Sequence, residues 1–119
     1  MSRDCSYWVY ILASKVGGTL YIGVTSNLVK RVYEHRTEVV PGFTKEHGIH
    51  RLVYFEEHTE IEFAIRREKR LKKWNRAWKI RLIEETNSNW DDLYPHEILG
   101  YAPYDGILVS HAIVTDGKY

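Results

Sequence analysis

Two short runs of aromatic and β-branched residues, Tyr7 to Leu12 and Thr19 to Val24, are separated only by Ser14-Lys15-Val16-Gly17-Gly18. So short a link between two strand-like runs reads as a β-hairpin. Thr25 or Ser26 can then accept a backbone hydrogen bond as an N-cap, and the stretch to about Arg36 has helical spacing without Gly or Pro. Pro41-Gly42 breaks the chain, and the polar segment up to His50 reads as a loop before a third strand, Leu52-Val53-Tyr54-Phe55. Thr59 is placed to cap a second helix from about Glu60 to Lys73. A third, from about Arg76 to Glu85, carries Trp78, Leu82 and Ile83 at helical spacing. The order β-β-α-β-α-α predicts an α+β domain, a small and largely antiparallel three-stranded sheet flanked by helices.

With 119 residues the chain suits one core. No apolar run approaches the roughly 20 residues needed to span a bilayer, and the first residues lack the basic start and long apolar stretch of a signal peptide. One cysteine, Cys5, cannot form an internal disulfide, which favours a reducing compartment and a cytoplasmic location.

The net charge of +1 averages two unlike parts. Residues 1 to 83 hold 16 Lys/Arg against 9 Asp/Glu, a net +7, whereas 84 to 119 hold 1 against 7, a net −6. Within the basic part, Arg66 to Arg81 carries nine cations opposed only by Glu68. Such a surface attracts a polyanion, and a solvated helical face is the plain alternative.

Helical geometry makes particular polar residues informative, because positions i, i+3, i+4 and i+7 share a face. In the first helix these are Leu28, Arg31, Val32 and His35, so an arginine and a histidine share the stripe that should meet the sheet. One turn apart, they can aim several donors at one anion. The second helix repeats the pattern with Ile61, Ala64, Ile65, Glu68 and Leu71, an apolar stripe interrupted by one carboxylate. Glu68 reads either as a buried ion pair to a residue such as Arg31 or as an oxygen ligand for a hard cation. Tyr10 and Tyr21 lie on the paired strands and can bring two hydroxyls together near Arg31.

Taken in order, Trp8-Val9-Tyr10, Tyr21-Ile22-Gly23-Val24-Thr25, Asn27-Leu28, Arg31 through His35, Arg67-Glu68-Lys69-Arg70-Leu71-Lys72, and a closing pattern of Trp74, Arg76, Lys79, Leu82-Ile83, Asn87, Trp90 and Asp92-Leu93 resemble the GIY-YIG nuclease family, in particular its small single-domain bacterial members. The resemblance spans Trp8 to Leu93. It implies a metal-dependent endonuclease, using Mg²⁺ or Mn²⁺, in which a water activated through a motif tyrosine attacks a DNA phosphodiester. Carried over residue by residue, Arg31 stabilises the pentacovalent phosphate, Glu68 holds the metal, and His35 contacts phosphate. Tyr10 and Tyr21 are the base and its positioning partner in an order left open. Asn87 orients a catalytic side chain or supports the fold. Three departures stand out: Trp8 where the first motif has glycine, Val24 where some members carry lysine, and Ser88 where an Asn-Pro pair is common.

On this reading residues 1–94 form the nuclease domain and 95–119 a C-terminal extension, either a packed tail or an extra strand. Lys72, Lys73, Arg76 and Lys79 are expected to hold a nucleic-acid backbone, while Trp74 and Trp78 are expected to be core. The implied partner is DNA, with RNA open and a role in repair or recombination. No separate targeting domain is expected, so selectivity is expected to come from substrate structure or a protein partner, or to be absent. A binding module of the same fold with little cleavage is the alternative function.

Overall fold

The computed structural model describes residues 6–37 and 42–94. In chain order these form β1 (Tyr7–Ala13), β2 (Leu20–Thr25), α1 (Leu28–Arg36), α2 (Phe43–His47), β3 (Arg51–His58), α3 (Ile61–Lys73) and α4 (Arg76–Thr86). The strands make one antiparallel sheet in the order β2-β1-β3. The expected α+β architecture is therefore present, with one additional short helix. The C-terminal extension over 95–119, expected as a packed tail or an extra strand, lies outside the described residues.

Strand alternation sorts the core into two layers around β1. Val9, Ile11 and Ala13 face Ala64 and Leu71 of α3, Ile83 of α4 and Trp90. Tyr10 and Leu12 face Leu28 and Val32 of α1, together with Ile49 and Leu52. Helices thus cover both faces, and β1 is buried from Val9 to Ala13 without interruption. At the hairpin, Ser14 N–H donates to Thr19 O at 3.0 Å, and Gly17 takes a left-handed φ of +70° that a side chain would oppose.

Several local expectations change. Asn27 caps α1, its side chain accepting from Lys30 N–H at 3.2 Å, while the Thr25 hydroxyl accepts from Asn27 N–H instead. Glu60 rather than Thr59 occupies the N-cap of α3, with no side-chain cap bond. The expected loop before β3 contains α2, whose five residues are too few to show an apolar period, and Gly48 stands after it at φ +63°. β3 is longer than its apolar stretch because Glu56, Glu57 and His58 continue the pairing with β1. In the predicted stripe of α3, Ala64, Glu68 and Leu71 are buried but Ile61 and Ile65 are exposed, since the sheet covers a narrower sector of the helix.

Residues 87–94 close the structure. Pairing of β3 with β1 slips between Ile11 and Leu12, leaving Val53 as an extra residue in the ladder. The buried Asn87 donates through Nδ2 to Val53 O at 3.1 Å and to Asp91 O at 2.9 Å, and its Oδ1 accepts from Asp91 N–H at 2.9 Å. Leu93 N–H donates to Leu52 O, and Asp92 accepts from Leu52 N–H while pairing with Arg36 of α1. Asn87→Ala leaves buried backbone groups without partners, so it should lower the unfolding free energy by roughly 2–4 kcal/mol. Urea unfolding beside the exposed Ser88→Ala, expected to be within about 0.5 kcal/mol of wild type, checks this.

Candidate active site

Tyr10 from β1, Tyr21 from β2 and His35 from α1 meet on the α1 side of the sheet. The Tyr10 hydroxyl lies 3.3 Å from His35 Nε2. Ring centroids are 5.3 Å apart for Tyr21 and His35, 6.1 Å for Tyr10 and His35, and 6.3 Å for the two tyrosines. Register explains the meeting, because Tyr10 pairs with Gly23 and so lies diagonally across from Tyr21. Gly23 supplies the room: a Cβ there would stand 2.5 Å from the Tyr10 hydroxyl oxygen and 2.6 Å from its ring carbon Cζ. Tyr10 is fully enclosed, whereas Tyr21 is only partly buried and keeps an accessible side.

Arg31 lies one turn before His35 on α1, half-buried, with Nη1 3.1 Å from the Glu34 carboxylate. The proposed pairing of Arg31 with a glutamate is thus met locally, by Glu34 rather than Glu68. Burial, reinforced by the Arg31 charge and by His50 and opposed by Glu34, lowers the His35 pKa to about 4. His35 is therefore neutral at pH 7, and in the Nδ1–H tautomer its Nε2 accepts the Tyr10 hydroxyl proton. His50 was absent from the sequence-based set. It lies in the segment between α2 and β3, and nothing local in the sequence connects it with His35.

Glu68 approaches from elsewhere. It sits on the sheet-facing side of α3, the helix packed against the opposite layer, and its carboxylate is 2.5 Å from Lys72 Nζ. Arg67, the preceding residue, reaches Glu56 on β3 with two hydrogen bonds of 2.9 and 3.2 Å. α3 packs against β1, β2 and β3, and β2 is an edge strand that bears Tyr21 on its other face. Among the described residues no three acidic, histidine or cysteine side chains cluster as a metal site. A nearly buried lone carboxylate still fits a hard cation whose remaining positions are filled by water and substrate oxygens, in competition with Lys72. Asn87 is committed to Val53 and Asp91, the fold-supporting member of its two alternatives.

The basic residues also sort differently from expectation. Lys72 pairs with Glu68, Arg76 donates to the Gly17 and Gly18 carbonyls at 2.7 Å, and Lys79 Nζ donates to Lys72 O at 3.3 Å. Of the four expected backbone contacts, Lys73 alone is exposed with no such internal bond among the described residues. Trp78 is a correction, since 51% of it is exposed, and it meets Trp74 edge-on rather than filling the core.

The GIY-YIG catalytic domain profile matches residues 6–81. The chain belongs to the GIY-YIG family. That family membership implies a nuclease-type function. Among relatives, a UPF0213 protein of Clostridium perfringens is 37% identical over 91 residues, covering 76% of this chain and 96% of its own. A second, from Syntrophus aciditrophicus, is 35% identical over 79 residues, covering 66% and 90% respectively. The solution structure of a UPF0213 protein from Bacillus halodurans aligns with a TM-score of 0.48 at 25% identity, covering 76% of this chain and 96% of that one. Within this GIY-YIG domain, the glycine of the second motif, Gly23, has a concrete task as the floor beneath Tyr10.

Gly23→Ala should therefore cost roughly 1–3 kcal/mol of stability and displace the Tyr10 ring, visible as changed tyrosine and His35 resonances in NMR spectra. The depressed pKa of His35 means that the unfolded chain takes up its proton first. Wild type should lose up to about 3 kcal/mol from this residue as pH falls from about 6.5 to about 4. Subtracting the unfolding profile of His35→Gln isolates that contribution, and coincident slopes would refute it.

Proposed function

We propose that this protein is a divalent-metal-dependent endonuclease hydrolysing DNA phosphodiester bonds, acting in the cytoplasm on branched or damaged DNA in repair or recombination. The observation that carries the reading is the Tyr10–His35 contact beside Tyr21, with Arg31 on the preceding helical turn, in a GIY-YIG chain. Arg31 offers a delocalised cation to the phosphate, and its electrostatic effect is greatest as charge grows on the pentacovalent phosphorus. Tyr21, the accessible tyrosine, holds the attacking water, and the enclosed Tyr10 positions His35. As the water oxygen bonds to phosphorus, its proton passes to Tyr21 Oη while the Tyr21 hydroxyl proton moves to the neutral His35 ring beside it. The bond to the leaving sugar oxygen breaks, and that oxygen takes a proton from solvent.

The charge arrangement supports this sequence. Arg31 helps to keep His35 unprotonated in the free protein. A phosphate beside Arg31 cancels part of that repulsion and makes His35 a better proton acceptor when substrate is present. A divalent cation held by Glu68 would supply Lewis-acid polarisation of the phosphate.

One specific observation favours a second reading, a nucleic-acid-binding module with little turnover: Arg31 and Glu68 are each ion-paired within the chain, to Glu34 and Lys72. The test is incubation with labelled single-stranded, duplex, flapped and branched DNA in Mg²⁺ or Mn²⁺, with a chelator control. Metal-dependent cutting is expected, reduced about 100-fold or more in Arg31→Ala and abolished in Glu68→Ala. Tyr21→Phe should lose at least about 100-fold and more than Tyr10→Phe. Salt-sensitive binding without cutting of any substrate would favour the module.

A further inference from the structure

Of the cations on the outer side of α3, Lys73 alone was expected to meet a nucleic-acid backbone, and Arg66, Lys69 and Arg70 have no task in the site just described. Arg66, Arg70 and Lys73 recur at intervals of four and three residues and so share one face, with Lys69 beside them, and all four are exposed. Among the described residues Lys69, Arg70 and Lys73 have no ion-pair or hydrogen-bond partner, and Arg66 lies over the Phe63 ring at 5.4 Å. Arg66 to Lys73 spans about 10 Å of helix. Glu62, in the first turn, is the acid nearest this face, whereas Glu68 points to the sheet.

Immediately after Lys73 the surface changes character. Trp74 lies beneath the Arg67 guanidinium at 5.5 Å and holds Trp78 edge-on, with centroids 5.8 Å apart and planes at 89°. Trp78 is exposed, and with Trp74, Arg81, Leu82 and Glu85 it lines a cleft of about 260 Å³. That is just below the roughly 300 Å³ at which pockets for drug-sized ligands begin, and suits one flat ring system. Arg81 and Glu85 balance in charge in the cleft, which therefore does not single out phosphate, while an indole face and a carboxylate acceptor suit a base with exocyclic amino groups.

We infer that the outer face of α3 and the Trp78 cleft form a second nucleic-acid site for an unpaired strand, with phosphates along Arg66, Arg70 and Lys73 and a base against Trp78. A duplex keeps its base faces stacked, so only a single strand can use both parts. The surface belongs to the helical layer opposite the Tyr10–Tyr21–His35 cluster. Its cations lie on the outer side of α3, away from the sheet-facing Glu68, so it receives a different arm of a branched or tailed substrate from the one being cut. This rests on the protein acting on nucleic acid, but not on its capacity to cleave.

The test uses the full chain in chelator, with a fluorescein-labelled single strand of about a dozen nucleotides and the matching duplex. Combined Arg66→Gln, Arg70→Gln and Lys73→Gln should reduce the single-strand salt slope by about 2 and weaken binding at least about tenfold. Trp78→Ala should weaken single-strand binding about fivefold or more and duplex binding less than about twofold. These positions are exposed, and an unchanged melting temperature confirms that folding is intact. Wild-type affinity and slope in the triple variant would overturn the inference while leaving the nuclease reading in place. So would equal losses for single strand and duplex in Trp78→Ala, or loss of self-association alone in sedimentation. Binding with the expected variant effects but no cutting in Mg²⁺ would sink the nuclease reading and leave this site standing.

Discussion

Everything in this fold is arranged around a central strand buried on both faces. From Val9 to Ala13, β1 has no exposed residue, and its alternating side chains serve two separate cores. A tyrosine in such a strand needs a partner for its hydroxyl and space for its ring. His35 supplies the first and Gly23 the second. Tyr10 and His35 of the candidate site consequently belong to the buried interior, and the cluster is carried by strands and a helix rather than by loops.

The same enclosure sets the electrostatics. Burial keeps His35 neutral at physiological pH, and the arginine one turn away adds to the effect. A neutral imidazole can accept the hydrogen bond of the phenol beside it, whereas an imidazolium would only compete with Arg31 for an anion. The ionic contacts of α3 and α4 follow another logic. Arg67 reaches across to β3 and Arg76 ties the hairpin turn to the start of α4. These are structural uses of charge, and they remove cations from the surface available to a polyanion.

The closing segment shows how an irregularity becomes a joint. The slipped pairing at Val53 lets its carbonyl meet Asn87, and Asp92 then links β3 to α1 through Arg36. Trp90, at φ +58°, is buried in the core with its indole N–H donating to Glu84 at 2.7 Å. A short stretch without regular structure thus fastens both layers to the sheet.

The hairpin, the three longer helices and the approach of Tyr10, Tyr21 and His35 on one side of the sheet were legible because they rest on local periodicity and on ordered motifs. What the sequence determined by itself was which residue types alternate or recur, hence which elements form and which polar groups share a face with apolar ones. Partner choice was not legible. Arg31 pairs with Glu34, Glu68 with Lys72, and Arg76 and Lys79 bond to backbone carbonyls of the chain itself. Nor could periodicity show that Ile61, Ile65 and Trp78 lie beyond the edge of the sheet's cover. The tertiary structure decided these points, because burial and ion pairing depend on distances between segments far apart in the chain, and local sequence patterns carry no information about those distances.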